Sequence, residues 1–253
     1  AGGEVTRLTD LIRGQSSHEA MSPAAKGFTQ PLAPADLPLS SSAPSPSVSE
    51  IDWYRRACQE LQGIKRAVQA NQRWTPDELA KVASGMVASI GADDSLVMKV
   101  LQQDAGDYLV SNAVGVAVVS VKIAEALRYE TVKLEQIALA GLLHDLGMFV
   151  LPDSLVYKTG TLTEEELQCV RAHPQQGVRL FKEIGGPYPW VERVILQEHE
   201  RWDGRGYPHK LAGNQIDEMA LIIGLADVFD ALRSARPYRS GALPHRAIRA
   251  LLV

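Results

Sequence analysis

Cysteine is nearly absent from this chain. Two thiols among 253 residues, Cys58 and Cys169, exclude a disulfide scaffold and a four-thiolate metal cluster. Long apolar runs are missing too. Nothing approaches about eighteen uninterrupted apolar residues, so no membrane span is expected. There is no surplus of positive charge. Lys and Arg number 26 against 30 Asp and Glu, a net charge of −4. That speaks against a DNA or RNA polymer as partner, because coating a phosphate backbone needs clustered cations. A local basic pocket for one small anion stays compatible with it. No secretory leader is visible, and a cytoplasmic setting is expected. The alternation of strands and helices that builds a parallel sheet is also missing.

What is present is globular material, 45% apolar and 22% charged, enough for one sizeable core or two small ones. Residues 1–50 differ from the rest. Pro31, Pro34, Pro38, Pro44 and Pro46 sit among Ser and Ala, a composition that reads as a flexible linker. A helical segment is expected over 51–106. Ile51, Tyr54, Cys58, Leu61 and Val68 step at helical spacing, with Lys65 the polar exception. Thr75-Pro76-Asp77-Glu78 reads as a helix start with Thr75 at the cap. The stretch from Asp107 to Leu127 is rich in Val and could be a strand by propensity. Its length, and Lys122, Glu125 and Arg128 at helical spacing, favour a central buried helix. Further helices are expected near 133–144, 174–184, 189–200, 216–233 and 243–252. The class is all-α, a helical bundle. The final residues fall inside the last of these helices without a stop signal, which reads as a truncated C-terminus over a domain spanning 107–253.

Histidine is scarce, with six in the chain. His144 and Asp145 close an apolar helix. His173 precedes Pro174, and His199 lies between Glu198 and Glu200. Asp227 and Asp230 are three apart in the apolar run from Leu221 to Ala231. An ionised Asp in such surroundings needs a cation or a close donor. A metal pair would satisfy His144, Asp145, His173, His199 and Asp227 together. A buried ion pair to an Arg is the competing reading for Asp227. Imidazole with carboxylate suits zinc, iron, manganese or nickel better than calcium.

Taken in order, these segments carry a resemblance: His144-Asp145-Leu146-Gly147, Leu151-Pro152-Asp153, Thr159 to Glu166, His173-Pro174 with Gly177, Glu198 to Pro208, Asp227 to Leu232, and Arg236-Pro237-Tyr238-Arg239. The chain resembles the HD-GYP family of cyclic di-GMP phosphodiesterases, a branch of the HD superfamily of metal-dependent phosphohydrolases. The resemblance implies a helical core around two divalent metal ions, iron or manganese. Asp145 would bridge them, with His144 and Asp227 on the first and His173, Glu198 and His199 on the second. It implies Arg236 and Arg239 as contacts to substrate phosphates, and either Asp203 or a metal-bound water would move the proton. It further implies a cyclic dinucleotide substrate, cut to pGpG and then to GMP if the site is roomy enough. A signalling protein docking on the Gly-Tyr-Pro loop, and a homodimer, are implied partners. Three positions depart from the family pattern. Asn112 stands where a histidine is usual, Met148 where a lysine is usual, and Glu198 where a second histidine is usual. A neutral amide is a poor ligand for a transition metal beside imidazole and carboxylate. Two unequal metal sites are therefore expected. The alternative outcome is a catalytically weak or inactive domain that binds cyclic di-GMP or a partner.

Overall fold

The structure, a computed structural model, describes residues 52–103 and 105–233. The linker expected over 1–50, the helix expected over 243–252, and Arg236 and Arg239 lie outside the described residues. Within them the chain is helical. The only β pairing among them is an isolated bridge between Asp203 and Ala212.

Ten α-helices follow one another: α1 (Asp52–Gln69), α2 (Asp77–Ala92), α3 (Ser95–Leu101), α4 (Tyr108–Ala126), α5 (Thr131–Leu143), α6 (Asp153–Val156), α7 (Glu164–Arg171), α8 (His173–Glu183), α9 (Pro189–Gln197) and α10 (Glu218–Arg233). A short 3-10 turn, Leu146–Val150, joins α5 to α6. The Val-rich stretch is helix. Asp107 caps it, its carboxylate accepting the Leu109 and Val110 amides. Lys65, the polar exception in the α1 stripe, meets that same carboxylate at 2.6 Å. The cap of α4 is thereby tied to α1.

Helix α4 is the axis of the bundle, with α5 and α10 packed along it and α1 alongside. It is long and apolar enough to cross a membrane by length and composition, yet 67% of that window is buried inside the protein. Gly141 lets α5 come close. A Cβ there would lie 2.7 Å from the Ala117 Cα. The buried core is continuous from Trp53 in α1 through Val116 in α4 to Ile223 in α10. Residues on both sides of position 106 therefore contribute to it.

One local expectation needs correction. Thr75 does not cap α2. The helix begins at Asp77, and the Pro76 carbonyl accepts the first amide, from Ala80. Pro76 has no N–H, so it fits just ahead of the first turn and leaves Thr75 outside. Thr163 does cap its helix. Its hydroxyl accepts the Glu166 amide while Glu166 accepts the Thr163 amide.

Candidate metal centre

The site is built from helix ends. Helix α5 stops at Leu143, and its last residues carry His144 and Asp145 out toward the 3-10 turn. Gly147 in that turn lies against the His173 carbonyl with no room for a Cβ. The absence of a side chain thus lets the start of α8 close on the end of α5. Helix α9 ends at Gln197 and delivers Glu198 and His199. Helix α10 brings Asp227 from its middle.

Asp145, His173, Glu198 and His199 converge so that one potential ligand atom from each lies within 4.8 Å of the others. His173 Nε2 is 3.1 Å from Asp145 Oδ1, 3.5 Å from Glu198 Oε1 and 3.1 Å from His199 Nε2. His144 joins from the other side of Asp145. Its Nε2 is 3.6 Å from Asp145 Oδ2 and 3.9 Å from Asp227 Oδ1. The two Asp145 oxygens therefore face different histidines, as a bridging carboxylate requires.

The histidines are oriented for ligation. Nδ1 of His144 donates to the Gly141 carbonyl at 2.8 Å, and Nδ1 of His173 to the Val170 carbonyl at 2.7 Å. With the proton held on Nδ1, each Nε2 turns a lone pair inward. His144 Nε2 and both Glu198 carboxylate oxygens are buried without a hydrogen-bond partner. Buried polar atoms are normally satisfied, so these atoms fit a cation. The cluster supports divalent-metal binding.

The electrostatics agree. Burial pushes the Glu198 carboxyl up to about 7, against the pull of His144 and His173. Burial alone would lower His144 and His173. The surrounding Glu198 and Asp145 carboxylates overcome it and raise them to about 9 and about 10. His199, buried and facing His173, falls to about 3. Acids and imidazoles here compete for protons at short range, and a divalent ion removes the competition.

Asn112 is 2% exposed. Its Nδ2 donates to Asp227 Oδ1 at 3.2 Å and to Asp230 Oδ2 at 3.1 Å. Asp230 pairs with Arg233 at 2.5 Å. The open choice at Asp227 is thus resolved by division of labour: Asp230 takes the arginine, and Asp227 turns toward His144. The Asn112 Oδ1 is buried without a partner.

Asp203 is not brought to this centre. Its carboxylate is exposed, accepts the Arg205 amide at 3.0 Å and pairs with Arg201 at 3.5 Å. None of its bonds reaches the cluster. Two other residues of this loop matter more. Glu200, 5% exposed, accepts the His209 and Leu211 amides at 2.6 and 2.9 Å and pins the loop from inside. Tyr207, before cis Pro208, stacks on His199 with ring centroids 4.8 Å apart and planes 20° from parallel. The Gly-Tyr-Pro segment thereby covers one side of the centre. Met148 packs its thioether against the core.

Comparison with known proteins follows the same lines. Residues 94–252 match the HD domain family. A cyclic di-GMP phosphodiesterase of Pseudomonas aeruginosa is 36% identical over 172 residues, covering 66% of this chain and 42% of that protein. The cyclic di-GMP phosphodiesterase response regulator RpfG of Xanthomonas campestris is 42% identical over 118 residues, covering 46% of this chain and 31% of that one. A 3'3'-cGAMP-specific phosphodiesterase of Vibrio cholerae is 39% identical over 105 residues, covering 40% and 23%. This chain spans less than half the length of these curated relatives. Among solved structures, an HDGYP protein of Bdellovibrio bacteriovorus superposes with a TM-score of 0.69 at 18% identity, over 84% of this chain and 68% of that one, a likeness of fold. With fold and matched residues in agreement, the chain belongs to the HD-domain family, and its ordered motifs resemble the HD-GYP branch.

Proposed function

We propose that this protein hydrolyses the phosphodiester bonds of a cyclic dinucleotide, with cyclic di-GMP as substrate and pGpG as first product, in the cytoplasm. The observation that carries the reading is the buried convergence of Asp145, His173, Glu198 and His199, with His144 and Asp227 alongside and lone pairs left unpartnered. The substrate class is supported by relatives named for cyclic di-GMP and for cGAMP.

The ligands would divide as the geometry suggests. His144 and Asp227 would hold one divalent ion and His173, Glu198 and His199 a second, with Asp145 facing both sets. Iron or manganese suits this mixture of imidazole and carboxylate. Bound there, such ions supply Lewis acidity and an activated water for in-line displacement at phosphorus. Hydrolysis adds one water across the P–O3′ bond, leaving a 5′-phosphate and a 3′-hydroxyl. The chain's own part is to hold that geometry. Gly141 and Val170 fix the histidine tautomers, Asn112 holds Asp227, and Tyr207 shields His199. The bonds of Asp203 run to Arg205 and Arg201, so the proton for the leaving oxygen is assigned to solvent.

The test is direct. Protein loaded with manganese or ferrous iron is incubated with cyclic di-GMP, and products are separated by chromatography. Formation of pGpG is expected. Asp145→Ala should abolish both turnover and bound metal, and unchanged metal content in that variant would remove Asp145 as the bridge. Metal-loaded wild-type protein that leaves cyclic di-GMP intact would defeat the assigned reaction.

A further inference from the structure

The rim of the centre holds a cation with no carboxylate to neutralise it. Arg171 ends α7, two residues before His173. Its guanidinium carbon lies 5.9 Å from the centroid of the Tyr207 ring, the ring that stacks on His199. Arg171 is exposed. Among the described residues it makes no ion pair, whereas Arg179 pairs with Glu183, Arg193 with Asp217 and Arg201 with Asp203. A cation at a helix C-terminus is favourable anywhere. That does not explain why this one is set over an aromatic ring touching a metal ligand. A guanidinium held over a ring face by its charge keeps N–H donors for an anion.

We infer that Arg171 is a substrate-binding residue that takes the phosphate which is not being cut. The inference rests on the proposed cyclic dinucleotide reaction. Such a substrate carries two phosphodiesters in one ring. One must enter the centre of Asp145, His173, Glu198 and His199. Arg171 stands one aromatic ring away from those ligands, too far out for that phosphate and well placed for its partner across the ring. Guanidinium recognises phosphate through paired N–H donors. The surroundings favour an added cation, because Asp145, Glu198, Asp227 and Asp230 crowd the centre with negative charge.

The experiment is steady-state hydrolysis of cyclic di-GMP by metal-loaded protein, with metal content measured in each variant. Arg171→Gln should raise KM roughly tenfold, the loss of one charged hydrogen-bonded contact, with kcat nearly unchanged and metal retained. Arg171→Lys should recover part of the loss, since it keeps the charge without the fork. Bis(para-nitrophenyl) phosphate, which has a single phosphate, should lose less than cyclic di-GMP. An unchanged KM overturns the assignment. So does an equal loss on both substrates accompanied by metal loss, which would make Arg171 a prop for Tyr207 and His199. A penalty seen with cyclic di-GMP and absent with cyclic di-AMP would also overturn it, because the contact would then be to guanine. Wild-type protein that cuts the small diester and ignores cyclic di-GMP would defeat the proposed reaction, and this inference with it.

Discussion

Asn112 sets a neutral side chain between two acids. With Asp227 and Asp230 on one side of it, its amide turns N–H toward them, and only the neutral Oδ1, a weaker transition-metal ligand than imidazole or carboxylate, is left over. On the proposed two-ion reading, an ion beside His144 and Asp227 would have fewer imidazole and carboxylate ligands than one beside His173, Glu198 and His199. Elemental analysis after purification should find one ion retained and one lost or exchanging. Asn112→His should raise occupancy of the weaker position and raise turnover by about tenfold, the effect of ~1.4 kcal/mol of transition-state stabilisation. Two equally tight ions in the unmodified protein, unaffected by this change, would contradict the asymmetry. At this scale the convergence of Asp145, His173 and His199 was legible because histidine is scarce. Glu200, Tyr207 and Arg171 were not assigned these contacts from sequence. Their roles depend on a loop folding back over His199, and nothing in the order of residues states where a loop closes. Asp203 misled for the same reason. It stands in the right segment but spends its carboxylate on the turn itself.

The elements were legible wherever apolar periodicity ran long. Helix α4 was separable from a strand through the spacing of Lys122, Glu125 and Arg128, although its Val content points the other way. The four-residue α6 was missed because one turn carries no period to read. What periodicity could not show is how closely elements approach. Gly147 is a contact point between the 3-10 turn and α8, where a Cβ would meet the His173 backbone. Gly147→Ala should force the two apart and destabilise the protein by about 1–3 kcal/mol, as overpacking does. Because His173 moves with α8, metal affinity should fall as well. Chemical denaturation and metal titration of the variant check both. Wild-type stability with wild-type affinity would show that the turn has slack.

For the whole molecule, the division between a helical segment over 51–106 and a domain over 107–253 remains our proposal, set against a core shared by α1, α4 and α10. The all-α class was legible from the missing strand rhythm. The shared core was not, since packing partners far apart in sequence leave no local mark. Ligands that come from α5, α8, α9 and α10 have a mechanical consequence. Between Asp145 and His173 the chain passes through Thr159, Gly160 and Thr161, all exposed. A protease cut there would leave His144 and Asp145 on one piece and His173, Glu198, His199 and Asp227 on the other. The bound ions would then act as a rivet through a severed chain. Such nicked protein should travel as one particle in moderate urea while loaded and separate into two once a chelator is added. Separation at the same urea concentration with and without chelator would show that the pieces are held by the apolar core alone.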